Sequence, residues 1–410
     1  MITALNNEKD NMVSNVIRKS IIKRILIEGA FLVSQIAEDT GYSITTVSKY
    51  VSEMLDEGVI NETDKVSLHA KGRKSIQYGI SPDSCYFLGV DPRPYELHIG
   101  LVDLTGNAVY KRTYSTYSLE NTYESLESLC ETVKSYVAEL PEAVAGKIKA
   151  ANVNISGRVN SKKGTSATLF NLEGSESETL ADTFSERFGM PVFIENDTKA
   201  MAYGEYATTM RGEKLNMCYV NFSWGLGLGI IIDGKLYYGK DGYSGEIGHI
   251  HAFDNNVLCH CGKKGCLETE LSGSAIARKL KERVQAGETS ILSPLIKAGR
   301  KVTTADIIGA IEKEDALTIE LTSAAGMELG HQLAACINLL NPDRIVIGGN
   351  FSIVEPCYFL QYINLAIRQY ALKLVSKDLP VVSSTLAAEA GVIGACLIAR
   401  ARYFNLEEDI

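Results

Sequence analysis

The sequence has no long apolar run and no low-complexity tract. Its longest stretch without a charged residue, 215–232, is interrupted by Asn216, Asn221, Ser223 and three glycines. This pattern predicts two strands and a turn, and it argues against a membrane span. The first thirteen residues also lack the basic segment and apolar segment of a secretory signal. We therefore expect a cytoplasmic protein without a membrane partner.

The sequence also has no excess of positive charge, and its formal net charge is −9. This argues against broad affinity for nucleic acid. The charge is unevenly distributed: residues 1–80 contain ten Lys or Arg and ten Asp or Glu, whereas the remaining 330 residues contain 31 and 40. A neutral N-terminal segment can still bind DNA if its basic groups share one face. At 410 residues, the chain is long enough for two or three domains.

Residues 13–57 have the spacing of three short helices, at about 13–28, 32–39 and 43–57. Ser43 is a suitable N-cap for the third helix, and Gly41 and Gly58 are suitable stops for the second and third. The apolar residues of the first helix predicted to form its core face are Val16, Ile21, Ile22, Ile25 and Leu26.

The third helix is predicted to face the core with three residues spaced by four, namely Val47, Val51 and Leu55. Its outward residues are then Thr45, Thr46, Ser48, Lys49 and Ser52. Hydroxyls and one cation suit the base edges and phosphates of a DNA major groove. Residues 59–80 predict a two-stranded wing, with a basic group near its end formed by Lys71, Arg73 and Lys74. A helical interaction module without a DNA role is the alternative.

This order of elements resembles the winged helix-turn-helix of bacterial regulators. The resemblance implies that the third helix enters the major groove and that Arg73 reaches a minor groove. From residue 86 onward, predicted strands alternate with predicted helices, which indicates an α/β body. A long helix at about 317–340 is expected to stop before Asn341-Pro342, since the residue before a proline disfavours helix.

Three cysteines, Cys259, Cys261 and Cys266, lie within eight positions, ten residues after His249. Three thiolates and one imidazole satisfy tetrahedral zinc and leave no open position, as in a structural site. Reduced buried cysteines or a redox pair are the alternatives. His251 and His260 are neighbouring histidines, and we expect His260 to point away from the ligands because it lies between two of them.

Several motifs of the body resemble one family, usually written ROK for repressors, open reading frames and kinases. They are Gly89-Val90-Asp91, GRVN at 157–160, PVFIENDTKAMAYGE at 191–205, GLGLGIIIDGKLYYG at 225–239, the segment from Gly245 through the cysteines to Glu268, and IVIGGN at 345–350. The resemblance covers about 84–400 and selects His249 as the metal ligand. With the winged helix, the chain resembles the family's sugar-responsive repressors.

The resemblance implies an α/β fold with an actin-like, two-lobed, sugar-kinase-like body. The expected domains are a winged helix-turn-helix at 1–80, a first lobe at 84–200 completed by about 386–410, and a second lobe at 201–385 that carries the zinc site and oligomerisation helices. By resemblance, a bound sugar meets Gly157, Arg158, Asn196, Asp197, Glu246, His249 and Glu268. Support of the zinc loop is an alternative role for Glu246 and Glu268. A purely structural role is the alternative for Asp197.

The family's kinases hold ATP phosphates with an Asp-x-Gly-Gly-Thr loop and a Gly-Thr-Gly turn. This chain instead has Asp91-Pro92-Arg93-Pro94-Tyr95 and Ser223-Trp224-Gly225. Proline removes N–H donors and fixes φ, and bulky side chains replace glycines that allow close approach of phosphate. We therefore expect a sensor without catalytic residues. Arg93 could bind a phosphate by charge, so both a sugar and a sugar phosphate are candidate ligands.

These features predict a repressor of carbohydrate-utilisation genes, a homodimer or homotetramer that binds double-stranded operator DNA. Its DNA affinity would be controlled by a small carbohydrate bound in a kinase-like cleft that lacks a competent ATP phosphate loop. The alternative is an ATP-dependent kinase of a hexose or N-acetylhexosamine with an appended DNA-binding module. A zinc-stabilised scaffold without a ligand is a third reading.

Overall fold

The computed structural model describes residues 12–66, 75–170, 179–210 and 213–406. Its N-terminal part contains, in chain order, α1 (Met12–Glu28), β1 (Ala30–Leu32), α2 (Val33–Thr40), α3 (Ile44–Asp56), β2 (Ile60–Val66) and β3 (Ser75–Ile80). The strands form an antiparallel sheet in the order β1, β3, β2. The three predicted helices are therefore confirmed to within one or two residues at each end, and β1 is a strand that the sequence analysis missed.

Three core predictions in these helices are wrong, and one of them is Leu26, which is only half-buried. Val16 is 42% exposed, and its neighbour Ile17 is buried instead. In α3 the third buried apolar residue is Met54, whereas Leu55 is only half-buried. A spacing of four drifts away from the 3.6-residue turn, so two turns after Val47 the core face falls on Met54.

The next part of the chain contains β4 (Tyr86–Pro92), β5 (Leu97–Asp103), β6 (Ala108–Tyr114), α4 (Tyr123–Ala138), α5 (Glu142–Ala145), β7 (Ile148–Ile155), β8 (Val159–Asn160), β9 (Thr165–Ser166), α6 (Leu180–Phe188) and β10 (Val192–Asn196). Five of these strands form a sheet in the order β10, β7, β4, β5, β6. β4 is parallel to β7 and antiparallel to β5.

The remaining elements are α7 (Asp197–Thr209), β11 (Met217–Phe222), β12 (Leu226–Ile232), β13 (Lys235–Leu236), α8 (Glu268–Leu271), α9 (Gly273–Gln285), α10 (Ser293–Lys297), α11 (Thr304–Glu312), α12 (Ala316–Leu340), β14 (Arg344–Gly348), α13 (Leu360–Tyr370), α14 (Lys373–Ser376), β15 (Val381–Ser383) and α15 (Ala390–Tyr403). The predicted end of the long helix α12 is confirmed, because Asn341 adopts a left-handed cap there. Within the described parts of the chain, no helix is both long and apolar enough to cross a membrane.

The second five-stranded sheet has the order β13, β12, β11, β14, β15. In each sheet the first strand in sequence lies at the centre. It is antiparallel to the second strand and parallel to the fourth, and the fourth is parallel to the fifth. The two sheets therefore share one topology, although the sequence shows no convincing internal repeat. The alternation of strands and helices confirms the α/β class.

The chain divides into two compact units. The first comprises Met1–Asp197, Met210–Gly212 and Val392–Ile410, and the second comprises Thr198–Thr209 and Glu213–Gly391. Each unit has its own hydrophobic core, formed where helices cover one of the five-stranded sheets. The domain boundaries expected near residues 80, 84, 200 and 385 stay predictions.

Helix α15 packs directly on the central strand of the first unit. A Cβ added at Gly89 of β4 would lie 2.5 Å from the Val392 carbonyl oxygen and 2.7 Å from the Cys396 backbone nitrogen. Backbone atoms cannot yield as a flexible side chain can, so only glycine permits this approach.

We predict that Gly89→Ala lowers the stability of the chain by about 1–3 kcal/mol, because it overpacks this contact. Gly309→Ala is the matched control, since its Cβ would enter open space on α11. The control should be stabilising by up to about 1 kcal/mol through helix propensity. Thermal unfolding of both variants checks this, and equal melting temperatures would contradict the packing described here.

Candidate functional site

The first candidate surface is the exposed side of α3. Ser43 caps the helix by accepting a hydrogen bond from the Thr46 N–H at 3.1 Å, and the two hydroxyls lie 2.8 Å apart. Thr46 is thus half-buried and engaged in the cap. The other predicted contact residues, Thr45, Ser48 and Lys49, are exposed, as is Ser52. Lys71, Arg73 and Lys74 lie outside the described residues.

The second group of predicted residues lies at the ends of β7 and β10 in the first unit. Asp197 accepts hydrogen bonds from the Ser156 hydroxyl at 2.7 Å and from the Asn196 amide at 3.1 Å. The Asn196 amide also donates to the Gly157 carbonyl at 2.9 Å. Polar side chains at the carboxyl ends of neighbouring parallel strands form the usual ligand edge of an α/β sheet.

The backbone at residue 157 is shaped for glycine. Gly157 has a φ of +100°, and a Cβ there would overlap the side chain of Thr168. The Thr168 hydroxyl accepts from the Arg158 N–H at 3.1 Å and donates to the Ser156 carbonyl at 3.2 Å. These two hydrogen bonds fix the loop that follows β7. Ser156 at the start of this loop is therefore held next to Asn196 and Asp197, and the three side chains form one polar group.

The third group is the histidine and cysteine cluster of the second unit. Candidate ligand atoms of His249, Cys259, Cys261 and Cys266 all lie within 4.8 Å of one another. Cys259 Sγ is 3.5 Å from His249 Nδ1, and Cys261 Sγ is 3.6 Å from Cys266 Sγ. Tetrahedral zinc with the usual bond lengths places such atoms about 3.6 Å (S to N) and about 3.8 Å (S to S) apart. The four side chains therefore fit this metal.

Metal binding through Nδ1 would leave the other nitrogen of His249 directed at a carboxylate. Its Nε2 lies 3.5 Å from Glu246 Oε2. Carboxylates commonly orient metal-bound histidines in this way. Glu246 thus stands beside the cluster, in keeping with either of the roles predicted for it.

The position of His260 differs from the expectation that it points away. Its Nδ1 lies 3.9 Å from Cys259 Sγ and 3.2 Å from Glu268 Oε1. The reason is that Glu268 begins α8 next to the loop and supplies a carboxylate partner that the sequence pattern did not reveal. His249, Cys259, His260 and Glu268 consequently form a second set that could hold a metal.

Glu268 is held as an anion. Burial would raise the pKa of its carboxyl, but hydrogen bonds from His260 and the Leu226 N–H, together with the positive potential of His260 and His249, lower it below its ordinary value. The Leu226 N–H donates to Oε2 at 3.0 Å. This contact fixes the carboxylate against the start of β12.

Without a bound cation, the three thiols of the cluster would not all be ionised. Burial, followed by hydrogen bonding with Cys261 and Cys259, raises the pKa of Cys266 to about 12. Burial also raises the pKa of Cys259, whereas hydrogen bonds from the Lys263 N–H and the neighbouring thiols outweigh burial and lower the pKa of Cys261. A divalent cation supplies the positive charge that three adjacent thiolates require.

At the end of β4, the polar groups of Asp91 and Arg93 bond to other groups of the protein. Asp91 is fully buried, and its Oδ2 lies 2.8 Å from Arg93 Nη2 and 2.9 Å from Arg93 Nε. Its Oδ1 accepts from the Asn154 amide at 2.8 Å. The Arg93 N–H donates to the Glu96 carbonyl at 2.7 Å and closes the turn into β5. Arg93, considered above as a phosphate ligand, is thus bonded to Asp91.

The turn between β11 and β12 is closed in a similar way. The Ser223 N–H donates to the Gly225 carbonyl at 3.1 Å. The first N–H groups of α9 also donate to this turn, from Gly273 to the Ser223 carbonyl at 2.8 Å and from Ser274 to the Trp224 carbonyl at 3.1 Å. These donors are the kind that would bind a phosphate at a helix N-terminus.

Several contributors to these groups are not predicted by the sequence. The Leu226 N–H reaches Glu268 from 42 residues away, and Thr168 bonds to Arg158 and Ser156 across a loop of ten to twelve residues, so no helical or strand spacing marks either of them. Asn154 did carry a signal, since Asn152 and Asn154 are polar residues in an otherwise apolar strand and are fully buried. The roles predicted for individual sugar-binding and DNA-binding residues stay predictions.

Comparison with protein-family models gives a match to the ROK family over residues 88–402. Among curated proteins, the chain is 29% identical over 372 residues to the DNA-binding transcriptional dual regulator NagC of Escherichia coli K12, covering 90% of this chain and 88% of that one. It is 26% identical over 343 residues to the xylose repressor of Bacillus subtilis, covering 84% of each.

Two solved structures are also similar. One is a ROK family transcriptional regulator homologous to the Escherichia coli MLC protein, with a TM-score of 0.75 and 26% identity, covering 97% of this chain and 98% of that chain. The other is a ROK family glucokinase from Streptomyces griseus in complex with glucose and AMPPNP, with a TM-score of 0.65 and 27% identity. The glucokinase covers 77% of this chain and 99% of its own. The body therefore has the α/β sugar-kinase-like fold.

We predict that Arg93→Ala destabilises the chain by about 3–5 kcal/mol, because it leaves the Asp91 carboxylate buried without its cation. Lys134→Ala is the control, since Lys134 forms an exposed pair with Glu131 and its loss should cost no more than about 1 kcal/mol. Thermal unfolding measures both variants. Equal stability of Arg93→Ala and the wild type would show that the ion pair is dispensable.

Proposed function

The chain belongs to the ROK family, and we propose on this basis that it is a sugar-responsive transcriptional repressor of carbohydrate-utilisation genes. The single observation that carries the proposal is the presence of an N-terminal module before a sugar-kinase-like body. A ROK transcriptional regulator structure covers 97% of this chain, whereas the glucokinase structure covers 77%. The NagC and xylose repressor sequences likewise match 90% and 84% of the chain.

The N-terminal module is proposed to be a winged helix-turn-helix. Helices α2 and α3 are joined by a short turn through Gly41, and β2 and β3 form an antiparallel pair that would serve as the wing. The exposed hydroxyls and Lys49 of α3 suit a major groove. A homodimer or homotetramer would place two such modules on a two-fold operator site.

The side chains proposed to bind the carbohydrate fall into two groups. The first comprises Gly157, Arg158, Asn196 and Asp197, and the second comprises Glu246, His249 and Glu268. Carboxylates and amides pair well with the hydroxyls of a sugar, and a site built on such pairs rejects analogues that lack them. Hydrogen bonds from Ser156 and Asn196 hold the Asp197 carboxylate in place, so it is preorganised to accept a hydrogen bond from a sugar hydroxyl.

Sensing without catalysis is proposed because the two turns that would hold ATP phosphates use their polar groups internally. Arg93 bonds to Asp91, and the Gly273 and Ser274 N–H groups donate to the β11–β12 turn. Trp224 adds a bulky side chain in that turn. A free sugar is therefore the favoured effector over a sugar phosphate, since Arg93 already has a carboxylate partner.

The cluster of His249, Cys259, Cys261 and Cys266 is proposed to hold a structural zinc ion. Zinc bound there would fix the loop between residues 249 and 268. It would also orient His249, whose Nε2 faces Glu246, and so would couple the fold of the loop to the second carbohydrate group. The choice of three thiolates and one imidazole matches the preference of zinc for sulfur and nitrogen ligands.

We predict sequence-preferring, salt-dependent binding of duplex DNA that a carbohydrate changes by about 5–150-fold. By linkage, DNA must change the carbohydrate affinity by the same factor. Glucose, xylose, N-acetylglucosamine and their phosphates form the first panel, measured by fluorescence anisotropy with a duplex selected by the wild-type chain from a randomised library. If the chain shows no salt-dependent binding of duplex DNA, the proposal that it is a transcriptional repressor is wrong.

In the same assay, Asp197→Asn should remove the response to carbohydrate and leave sugar-free DNA affinity unchanged. Glu186→Gln is the matched control, because it removes an exposed carboxylate from α6 of the same unit. A full response in Asp197→Asn would exclude Asp197 from the carbohydrate site.

A sugar kinase with an appended DNA-binding module is the second candidate. The likeness to a glucokinase solved with glucose and AMPPNP favours it, as does the retained Asp197. ADP production from ATP with each sugar of the panel decides between the two functions. Turnover that Asp197→Asn abolishes would establish the kinase, whereas background rates throughout are expected for the repressor.

For the metal, we predict about one zinc ion per chain by atomic emission, with loss of the ion and a lower melting temperature in Cys266→Ser. His251→Ala is the control, because His251 lies outside both candidate ligand sets. His260→Ala should also retain zinc. Loss of zinc from His260→Ala but not from Cys266→Ser would instead favour the set that contains His260 and Glu268.

A further inference from the structure

Arg18 is a buried arginine of α1 that contacts α3. It is only 7% exposed, which is unusual for an arginine. Its Nη1 lies 2.8 Å from Glu57 Oε2, and its Nη2 lies 2.9 Å from Glu57 Oε1 and 3.0 Å from Glu53 Oε2. One guanidinium therefore pairs with two carboxylates near the C-terminal end of α3 and compensates one of their two negative charges, and its contact with Glu57 is bidentate.

The network continues to the exposed side of α3. Glu53 presents its other oxygen, Oε1, at 4.0 Å from Lys49 Nζ, one helical turn away. The side chain of Lys49 is 68% exposed, among the residues proposed to contact DNA. Charges thus alternate along the series Lys49, Glu53, Arg18 and Glu57. Arg18 competes with Lys49 for Glu53 and holds Glu53 through the stronger, shorter contact.

Removing the guanidinium would have two electrostatic consequences. Glu53 and Glu57 would keep only Lys49 as a cation in this series, so one more negative charge would stand uncompensated beside a surface that approaches phosphates, and like charges disfavour such an approach. Glu53 would also become the free partner of Lys49, which would then have to give up an ion pair to reach a phosphate. Both effects lower affinity for DNA without changing any residue that touches it.

We infer that Arg18 is a positioning residue for DNA binding, which compensates the charge of the α3 glutamates and engages Glu53 so that Lys49 remains available to a phosphate. This inference rests on the proposed DNA-binding function. A second arginine of α1 provides a contrast: Arg24 pairs with Glu28 and Asp39, which lie on α1 and α2 and not on α3. Arg24 ties the helices together without touching the charges of α3.

The experiment measures the affinity of the full chain for the selected duplex at several salt concentrations. The variants are Arg18→Met, Arg18→Lys, Glu53→Gln and the triple variant Arg18→Met/Glu53→Gln/Glu57→Gln, with Arg24→Met as control. We expect Arg18→Met to weaken binding at least about tenfold, since it adds like charge at the interface. Arg18→Lys should recover part of the loss. Glu53→Gln should strengthen binding and steepen the salt dependence by up to about one phosphate contact.

The triple variant separates charge from support. It lacks every contact of Arg18 but carries no uncompensated carboxylate, so the inference predicts wild-type affinity or better. Thermal unfolding of each variant identifies any that fails to fold, and replacing a whole buried ion network with uncharged groups is usually tolerated. A triple variant as weak as Arg18→Met, or an Arg18→Met that binds like Arg24→Met, would overturn the inference. A wild type without salt-dependent DNA binding would instead overturn the proposed function.

Discussion

At the end of β4, a fully buried carboxylate, that of Asp91, is neutralised by Arg93 and held by Asn154. A buried charge of this kind is stable only with its partners, so the pair fixes the turn that follows. A turn fixed in this way has a guanidinium and two prolines where a nucleotide-binding loop needs free N–H groups. In the equivalent turn after β11, the Ser223 N–H donates to the Gly225 carbonyl, and the Ser223 and Trp224 carbonyls accept from the first N–H groups of α9. The proposal of sensing without catalysis rests on these two closed turns.

The groups suited to hydroxyl recognition are arranged differently. Asn196 and Asp197 form a network with Ser156 at the ends of β7 and β10, and Glu268 is anchored to the Leu226 N–H and kept ionised. The cysteine cluster lies next to Glu246 and Glu268 in the second unit, at spacings that suit tetrahedral zinc. These hydroxyl acceptors, together with the two closed turns, support the proposal that the chain senses a sugar and passes the signal to a DNA-binding module.

The sequence was sufficient for features with a local signature. Helical spacing located α1 to α3, the cap at Ser43 located the start of α3, and the spacing of cysteines located the cluster. It failed where a distant partner decides the outcome: Met54 replaced Leu55 in the core because helical phase accumulates over two turns, and His260 turned towards Glu268. The common topology of the two sheets could not be predicted either, because the same strand pairing can be formed by two unrelated sets of side chains. The pairing of Arg93 with Asp91 required the geometry of the turn.

Titration calorimetry of the full chain with magnesium and a non-hydrolysable ATP analogue, with and without a bound carbohydrate, would show whether the two closed turns exclude a nucleotide. The closed turns predict no saturable nucleotide binding in either case, while a carbohydrate of the right class binds with measurable heat. Saturable binding of the analogue to the carbohydrate-loaded chain would show that these turns do not exclude a nucleotide, because Arg93 and Trp224 would have to leave room for a triphosphate.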